Sequence, residues 1–497
     1  MKHNVIVALI TLLISVNSGF AQDFSNVIQI NPLQQGSQDT DGGNSIAISG
    51  DYVHLLWQDM DSSFCSFVST SSNGGGSFSD PIMIADQGPQ IFGALTVNEQ
   101  GDVFVAWDGI EGEFIQGVYV SKSEDHAQSF AIPVEVSATG FFPEISAYGD
   151  LVYVSFYLME TDSTFGYYFS RSTDGGTSFE TPFEITTSEI DHFKMDSPNA
   201  MTLDNNGDIY CVWNDGRGQL EATDIYMAKS VDNGMSFGEN ILVNRHNSGD
   251  GKLRTAPSID IGDGNIYAVW REEADDNGNG RKILFAKSTL TDLSFGPEML
   301  IVEGGWSTPC LTTSMGGDIY LAYPQQGSTN GLFCMKSSDQ GASFPVTIRI
   351  SPQGDYVKYP SISIDQNNLV NAVWTHAEEN DEDNVLFVQG AINISSHDPN
   401  KGNLPQGFKL LQNFPNPFNP STTISYALPQ NTRVVLTIYD LHGNLVRTLE
   451  SGYQTPGWHH VALNLESERG NNISTGIYFA RLDAGNHSQI IKMLFLK

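Results

Sequence analysis

Along most of the chain, short segments in which apolar and polar residues alternate are separated by clusters of glycine, asparagine and aspartate. One unit shows this clearly, with an alternating segment at residues 198–203, a tight turn at 205–208 and a second alternating segment at 209–213. Alternation at period two places one face of each segment in a core, and the turn residues join successive strands as hairpins. The pattern predicts an all-β protein built from short antiparallel strands.

The same unit recurs, and the aromatic residue of its second strand marks each copy. The copies follow one another at intervals of roughly 50–57 residues, which is the size range of propeller blades. The marking residues are Trp57, Trp107, Phe156, Trp213, Trp270, Tyr323 and Trp374. The seventh copy stops after its third strand, whereas residues 27–30 resemble the outer strands of the other copies. Pairing this N-terminal strand with the last copy would close the ring and remove two exposed sheet edges, so we expect seven blades.

An eight-residue pattern, Ser-x-Asp-x-Gly-x-Ser-Phe, follows the third strand in several copies. It is complete at residues 172–179, 230–237 and 337–344 and weaker at 71–78, 123–130 and 288–295. The residues at its third position are Asn73, Asp125, Asp174, Asp232 and Asp339, and the last weak copy has lost this residue. Such a side chain can accept N–H bonds within a turn, and a glycine two places on can adopt a left-handed conformation. We expect these residues to fasten turns, since catalysis rarely needs one group copied around a fold.

This pattern is the Asp-box, also called the BNR repeat, and the chain resembles the sialidase-like β-propellers that carry it. The resemblance covers roughly residues 23–391 and implies a propeller, but unrelated enzymes and non-enzymatic secreted proteins share the motif. Sialidases usually have six blades. A six-bladed ring is therefore the alternative to the seven blades that the repeat count predicts.

The net charge and the N-terminal segment indicate which partners and which location to expect. The 497 residues include 58 acidic side chains against 24 Lys and Arg, and the net charge of −34 argues against nucleic acid as a partner. Residues 1–21 form a secretory signal pattern, in which Lys2 precedes an apolar run and small residues surround the end at Ala21. No later apolar segment is long enough to span a membrane, so we expect an exported protein without a transmembrane segment.

The four cysteines show no Cys-x-x-Cys spacing, so neither a zinc site nor redox chemistry is indicated. The repeat assigns Cys310 and Cys334 to non-neighbouring strands of one blade, and Cys65 and Cys211 to separate blades. We therefore expect buried free thiols that act as small hydrophobic residues.

The pattern changes after a linker rich in Ser, Asn, Pro and Gly at residues 393–406, and a second domain occupies residues 407–497. Its alternating segments, at 422–428, 434–439, 445–449, 459–465, 477–482 and 490–496, predict a small immunoglobulin-like β-sandwich. Motifs at residues 413–420, 438–443, 474–479 and 492–497 resemble the C-terminal sorting domain of type IX secretion and the related FlgD-like Ig domain. This resemblance implies outer-membrane secretion machinery as a partner, and a secreted or surface protein of a bacterium with an outer membrane. The alternative is a plain stabilising Ig module.

In a propeller the Asp-boxes and first hairpins lie on one face. The loops between second and third strands, and the links between blades, share the opposite face, here named the loop face, where such folds bind ligands. Five arginines of this acidic chain fall in these loops: Arg217, Arg245, Arg254, Arg271 and Arg281. We expect them to bind a carboxylate or sulfate, because a planar guanidinium matches such groups.

The alternative for these arginines is that they brace loops. Arg217 would then pair with Asp215 or Asp224. Arg271 would pair with Glu272 or Asp275.

Catalytic groups are less clearly marked. The chain lacks the Phe/Tyr-Arg-Ile-Pro motif of sialidases, and residues 31–44 contain no arginine. Glu272, Glu273, Tyr356 and Asp191 lie in loops of the loop face and are the candidates for acid, base or nucleophile. We expect the propeller to bind an extracellular glycan or protein without catalysis. The alternative is an exo-α-sialidase or related glycoside hydrolase with a rearranged site.

One loop has the spacing of a calcium site. Asp275, Asn277 and Asn279 match the first ligand positions of a calcium loop, but Ala286 stands where a bidentate acid is expected. Calcium is therefore a candidate, with an acidic turn that binds no metal as the alternative. No other cofactor is expected.

Overall fold

The computed structural model describes two compact units, one within residues 1–392 and one within residues 393–497. The described residues are 24–31, 38–40, 44–59, 64–85, 90–111, 114–160, 164–191, 193, 199–217, 222–245, 250–274, 280–305, 307–326, 330–377, 383–392, 408–410, 413, 418, 421–429, 431–454, 457–464, 474–485 and 487–495. The signal pattern at residues 1–21 and the linker at 393–406 lie outside them. Among the described residues no helix could cross a membrane.

Every regular element in the described part of the first unit is a β-strand. In chain order these are β1 (Ile28–Gln29), β2 (Gln38–Asp39), β3 (Ile46–Ser49), β4 (Tyr52–Asp59), β5 (Cys65–Ser71), β6 (Ile82–Met83), β7 (Gln90–Val97), β8 (Val103–Glu111), β9 (Phe114–Ser123), β10 (Val134–Ser137), β11 (Phe141–Tyr148), β12 (Leu151–Met159), β13 (Phe165–Ser172), β14 (Phe183–Glu184), β15 (Asn199–Leu203), β16 (Ile209–Asp215), β17 (Asp224–Ser230), β18 (Ile241–Leu242), β19 (Leu253–Gly262), β20 (Asn265–Glu273), β21 (Lys282–Thr289), β22 (Met299–Glu303), β23 (Cys310–Thr313), β24 (Ile319–Gln325), β25 (Gly331–Ser337), β26 (Val346–Arg349), β27 (Val357–Ile364), β28 (Leu369–His376) and β29 (Asn384–Ala391).

These strands form antiparallel sheets that follow one another along the chain. The first sheet contains β2 to β6, the next five take four strands each from β7 to β26, and the last combines β27, β28 and β29 with β1. The inner strands β3, β7, β11, β15, β19, β23 and β27 contact one another in this order, and β27 also contacts β3. Four-stranded sheets around a closed set of inner strands fit a β-propeller, as the alternation predicts.

The aromatic residues used to align the copies occupy equivalent places. Each lies in the second strand of its sheet and is at most 5% exposed. They pack in clusters that combine side chains of neighbouring sheets; Trp213, for example, stacks on Tyr167 of the preceding sheet with ring centroids 5.1 Å apart. Burial of such rings, each worth a few kcal/mol, holds neighbouring sheets together.

The Ser-x-Asp turns, as we name the eight-residue segments, are fastened in the predicted way. At residues 172–179, Asp174 accepts hydrogen bonds from the backbone N–H of Ser178 at 2.9 Å and from the hydroxyl groups of Ser178 and Ser172 at 2.6 and 2.7 Å. These bonds favour the ionised carboxyl group, with the hydroxyl of Ser178 first, and lower the pKa of Asp174 to about 2. In the first sheet, Asn73 likewise accepts bonds from Ser71 and from the N–H of Ser77.

The glycine of these turns has a second role beyond its positive φ. A Cβ atom on Gly234 would lie 2.6 Å from the ring of Phe169 in the preceding sheet, and one on Gly341 would lie 2.7 Å from the ring of Phe285. The turn backbone therefore packs directly against the neighbouring sheet. Glycine is required both for the turn conformation, with φ of 75° at Gly234, and for this close approach.

The N-terminal strand completes the last sheet, as the interrupted seventh copy predicts. In the register of β1 and β29, Ile28 lies opposite Phe387. Beyond the paired residues, the side chain of Asn31 accepts the N–H of Val385 at 2.9 Å and donates to Asn384 Oδ1 at 3.2 Å. Asn31 is 4% exposed, so its two bonds form a buried clamp at the end of a very short strand.

The four cysteines, all within the described residues, form no disulfide, but only two of them are buried. Cys211 and Cys334 are buried, whereas Cys65 and Cys310 are partly exposed. Cys310 and Cys334 both lie opposite Ala322, one from each side of β24. One strand, β24, therefore lies between them, and two strand spacings of roughly 5 Å each exceed the reach of a disulfide.

The second unit contains two antiparallel sheets in its described part. One is formed by β30 (Lys409–Leu410), β31 (Ser421–Leu428) and β34 (Gly457–Asn464), and the other by β32 (Thr432–Asp440), β33 (Leu445–Gln454), β35 (Gly476–Ala484) and β36 (His487–Phe495). Apolar side chains of both sheets, such as Ile424 and Leu436, share one core. The predicted alternating segments thus correspond to strands of two packed sheets.

The closure clamp gives a test of the ring. Replacing Asn31 by Ala leaves the N–H of Val385 without its acceptor, and we expect a loss of about 1–3 kcal/mol in the free energy of unfolding. Gln29→Ala is the matched control, because this exposed side chain makes one hydrogen bond to Asn384. Thermal unfolding of the mature chain measures both. Equal melting temperatures for the two variants would contradict a clamp at Asn31.

The turns give a second test. Since Asn73 fastens its turn through the same type of contacts, Asp174→Asn should retain most of the stability, whereas Asp174→Ala should lose about 1–2 kcal/mol through unpaired N–H and hydroxyl groups. Urea unfolding of the two variants gives the comparison. An alanine variant as stable as the asparagine variant would show that these bonds do not hold the turn.

Candidate functional site

At the loop face, the residue after each aligned aromatic reaches the next sheet in several copies. These side chains are buried and make hydrogen bonds, here named latches, to the following sheet. Three of them reach the start of the inner strand, and that of Thr375 reaches Thr40, next to β2. The latch pairs are Gln58 with Phe92, Asp108 with Phe142, Asn214 with Thr255 and Thr375 with Thr40. Asp108, for example, accepts the N–H of Phe142 at 2.9 Å. The latches fix the inner strands where they enter the loop face.

The backbone near the start of four inner strands is strained, and at Phe92 and Phe142 a latch bonds to the strained residue itself. Phe92, Phe142, Ala256 and Tyr359 have φ of 50°, 55°, 52° and 44°, and a register shift in the inner strand lies at each of them. Left-handed conformations of non-glycine residues cost roughly 1–3 kcal/mol each and persist where the surroundings impose them. Each bulge turns its inner strand at the loop face, and at Phe92 and Phe142 it places an aromatic side chain there.

Four phenylalanines form a continuous aromatic surface at this position, here named the aromatic wall: Phe92, Phe141, Phe142 and Phe193. Ring centroids of Phe92 and Phe142 are 4.3 Å apart, and those of Phe141 and Phe193 are 5.8 Å apart. Phe193 also stacks on the buried ring of Tyr157 at 4.3 Å. Phe92, Phe141 and Phe193 are partly exposed, whereas Phe142 is 5% exposed and supports them from the core. The sequence analysis did not identify this surface, although Phe141 and Phe142 stand at the start of a predicted inner strand.

Arg254, a predicted ligand contact, lies at the centre of a buried ion-pair cluster. Its guanidinium donates to Asp224 Oδ1 at 2.9 Å and to Asp250 Oδ2 at 2.6 Å, and it lies 3.1 Å from Glu272 Oε2. Lys252 Nζ donates to Glu272 Oε1 at 2.9 Å. Burial alone would raise the pKa of Asp250, but the hydrogen bond and charge of Arg254, together with the N–H and charge of Lys252, outweigh burial and lower this pKa. Glu272, a predicted catalytic candidate, is therefore engaged by two cations.

Arg271 and Arg281 meet at one carboxylate. The Nε atoms of Arg271 and Arg281 lie 2.8 and 3.0 Å from Glu273 Oε1. Arg271 and Glu273 are each 1% exposed, whereas the side chain of Arg281 is 19% exposed. The sequence analysis named Glu272 or Asp275 as the brace of Arg271. The structure pairs Arg271 with Glu273, because residues two apart share one side of a strand, whereas Asp275 lies outside the described residues.

The two remaining arginines lie apart from these groups. Arg217 pairs with Asp215, as the brace alternative predicts: its Nε donates to Asp215 Oδ2 at 2.8 Å, and its guanidinium lies over the ring of Tyr226. Arg245 is exposed and follows β18, the outermost strand of its sheet. The five predicted arginines therefore do not converge on one point.

The other predicted catalytic candidates lie elsewhere on the loop face. The side chain of Tyr356 is 48% exposed, and the backbone carbonyl of Tyr356 accepts the N–H of Ala377. Asp191 is exposed and follows the third sheet in the chain. Next to Tyr356, buried Asp355 accepts the Nε1–H of Trp374 at 2.9 Å and also contacts His376 Nδ1. The sequence analysis missed this Asp355–His376 pair.

Glu144 is a buried acid that the sequence analysis also missed. It is 4% exposed, lies opposite Ser155 in the sheet, and is close to Tyr167 and Cys211 at the contact with the fourth sheet. Burial disfavours the charged form and raises the pKa of Glu144 to about 8. At neutral pH the carboxyl group of Glu144 is therefore mainly protonated. In the chain Glu144 follows Pro143, which follows the strained Phe142.

The calcium candidates Asp275, Asn277 and Asn279 lie outside the described residues. Within the described part of the chain, no group of three or more His, Cys, Asp or Glu side chains could hold a metal ion.

Residues 412–497 match the family described as the secretion system C-terminal sorting domain. This match indicates type IX export to the cell surface or the extracellular space. No curated protein matches the chain.

Several solved structures are similar to the first part of the chain. An ulvan lyase of a new polysaccharide lyase family, bound to -[GlcA(1-4)Rha3S]-, has a TM-score of 0.53 at 10% identity, covering 72% of this chain and 95% of its own. The polysaccharide lyase Uly1 has a TM-score of 0.51 at 10% identity, covering 75% and 100%. The α-L-arabinanase of Penicillium chrysogenum has a TM-score of 0.44 at 11% identity, covering 61% and 93%. At these identities, the two lyases show a shared fold.

Glu144 yields a pH prediction. Its folded-state pKa of about 8 lies above the ordinary value of 4.5, so its burial is least costly below pH 4.5 and destabilises the fold increasingly as pH rises toward about 8. Glu144→Gln, which stays neutral, should be more stable than the parent at about pH 8 by a few kcal/mol, and nearly equal at about pH 5. Urea unfolding at both values checks this. A stability difference that does not change with pH would mean that Glu144 is ionised in the folded protein.

Proposed function

We propose that this protein is an exported, seven-bladed Asp-box β-propeller of the sialidase-like type that binds an extracellular glycan on its loop face without catalysis. The proposed division is a signal peptide at residues 1–21, the propeller at 22–392, a linker at 393–406 and an immunoglobulin-like sorting domain at 407–497. The sorting domain engages the outer-membrane secretion machinery. Support comes from the sorting-domain match and from the closed order of the sheets.

The aromatic wall is the observation that carries the glycan proposal. Sugar rings present apolar C–H faces that pack on aromatic rings, and a largely pre-formed surface binds with less loss of conformational freedom. The latches of Gln58 and Asp108 hold the strained backbone at Phe92 and Phe142, so two of the four rings are fixed before a ligand arrives. The two similar lyases are described as acting on polysaccharides, which agrees with this ligand class.

A second candidate is a glycoside hydrolase with a rearranged site, including an exo-α-sialidase. The observation that favours it is Glu144, because a glycosidase needs a carboxylic acid that stays protonated near neutral pH to donate to the leaving oxygen. Glu272, Tyr356 and Asp191 do not lie in a common group with it in the described structure. Release of reducing ends from a bound polysaccharide, or turnover of a fluorogenic sialoside, would favour this candidate over binding alone.

The mature full-length protein can be tested on an array of plant, algal and bacterial polysaccharides. Phe193→Ala should weaken binding to the retained polymer by roughly tenfold or more, since loss of one stacked ring typically costs about 1–3 kcal/mol. Tyr148→Ala is the matched control, because this residue is 45% exposed in the hairpin between β11 and β12, at the opposite end of the sheet. Binding that survives Phe193→Ala but not Tyr148→Ala would place the ligand on the other face.

A further inference from the structure

Ten charged side chains of the loop face around the fourth and fifth sheets lie in ion pairs with one another, and exposed Arg245, on the link between these sheets, is not one of the ten. Each basic side chain of this group lies within 4.0 Å of at least one acidic side chain of the same group. The basic members are Arg217, Lys252, Arg254, Arg271 and Arg281, and the acidic members are Asp215, Asp224, Asp250, Glu272 and Glu273. Five positive and five negative charges leave the group neutral overall.

This neutral group is poorly suited to hold an external anion. Arg254 is fully buried among three carboxylates, so a sulfate or uronate would have to displace an existing partner and desolvate both charges. Arg281 is the most exposed of the five basic side chains after Lys252, and it shares Glu273 with Arg271. The guanidinium groups thus serve the packing between loops.

The surroundings of the aromatic wall add repulsion. The stretch 189–196 around Phe193 carries three acidic residues, Glu189, Asp191 and Asp196, against one basic residue, Lys194, and exposed Glu160 lies just before β13. The whole chain carries a net charge of −34. A polyanion that approached this surface would meet carboxylates, and like-charge contact is a general means of excluding a wrong partner.

We infer that the glycan bound at the aromatic wall is a neutral polymer of hexoses or pentoses, and that uronate or sulfate polymers are excluded. This inference rests on the proposed glycan-binding function and specifies its ligand class. Binding then comes from stacking and hydrogen bonds, so its affinity is insensitive to ionic strength.

The experiment uses pairs of polymers that share a backbone and differ in charge. Galactan and polygalacturonate, hydroxyethylcellulose and carboxymethylcellulose, and dextran and dextran sulfate are presented to the mature full-length protein by affinity electrophoresis, together with neutral arabinan, xylan and mannan. The protein should be retained by at least one neutral polymer and by none of the anionic ones. Its dissociation constant should change less than about twofold between about 50 and 500 mM NaCl.

Variants separate the two parts of the argument. Phe193→Ala should abolish retention by the neutral polymer, whereas Arg281→Ala should leave it within about twofold, because Arg281 is engaged by Glu273. Preference for an anionic member, with affinity that falls tenfold or more in salt and with Arg281→Ala, would overturn the neutral-ligand inference while keeping a glycan function. Retention by none of the polymers would overturn the glycan function itself, and with it this inference.

Discussion

Closure of the ring by a strand of only two paired residues is the constraint on which the first unit depends. Among the described residues, the inner strand of each sheet contacts those of its neighbours, so an open ring would leave the last sheet with an unpaired edge and the inner strands without a continuous set of contacts. Ile28 and Gln29 supply the missing edge, and the buried bonds of Asn31 extend the contact beyond them. The geometry of the loop face follows from this closure, because the latches from one sheet to the next can form only in a ring of fixed size.

The latches also explain where the candidate site lies. A residue that directly follows the buried aromatic of a second strand is carried to the loop face, next to the inner strand of the following sheet. Where this residue is Gln58 or Asp108, it stabilises a backbone turn that no strand would adopt alone, and a phenylalanine is placed in the loop face. Where the position holds Arg271, the side chain instead joins the ion-pair cluster. The position after the aligned aromatic therefore supports a phenylalanine of the aromatic wall in one part of the ring and forms an ion pair in another.

The sequence predicted the repeating part of the structure well, because that part is governed by local rules. Alternation located the strands, the Ser-x-Asp pattern located the fastened turns, and the spare strand at residues 27–30 identified its partner. The pairing of Arg271 with Glu273 was not predicted, since adjacency in sequence was weighed above strand geometry, which puts Glu273 on the same side. Glu144 and the aromatic wall were missed for another reason. The raised pKa of Glu144 and the stacking of the phenylalanine rings arise from burial and from contacts between sheets, which the order of residues does not show.

The same closing strand determines when the fold can be completed. Gln29 bonds to Asn384, a partner 355 positions later in the chain, so the ring cannot close until the seventh copy has been synthesised. Contacts between such distant residues carry a large loop-closure cost and form late. During synthesis the first and last sheets both keep open edges, and the chain remains an incomplete propeller.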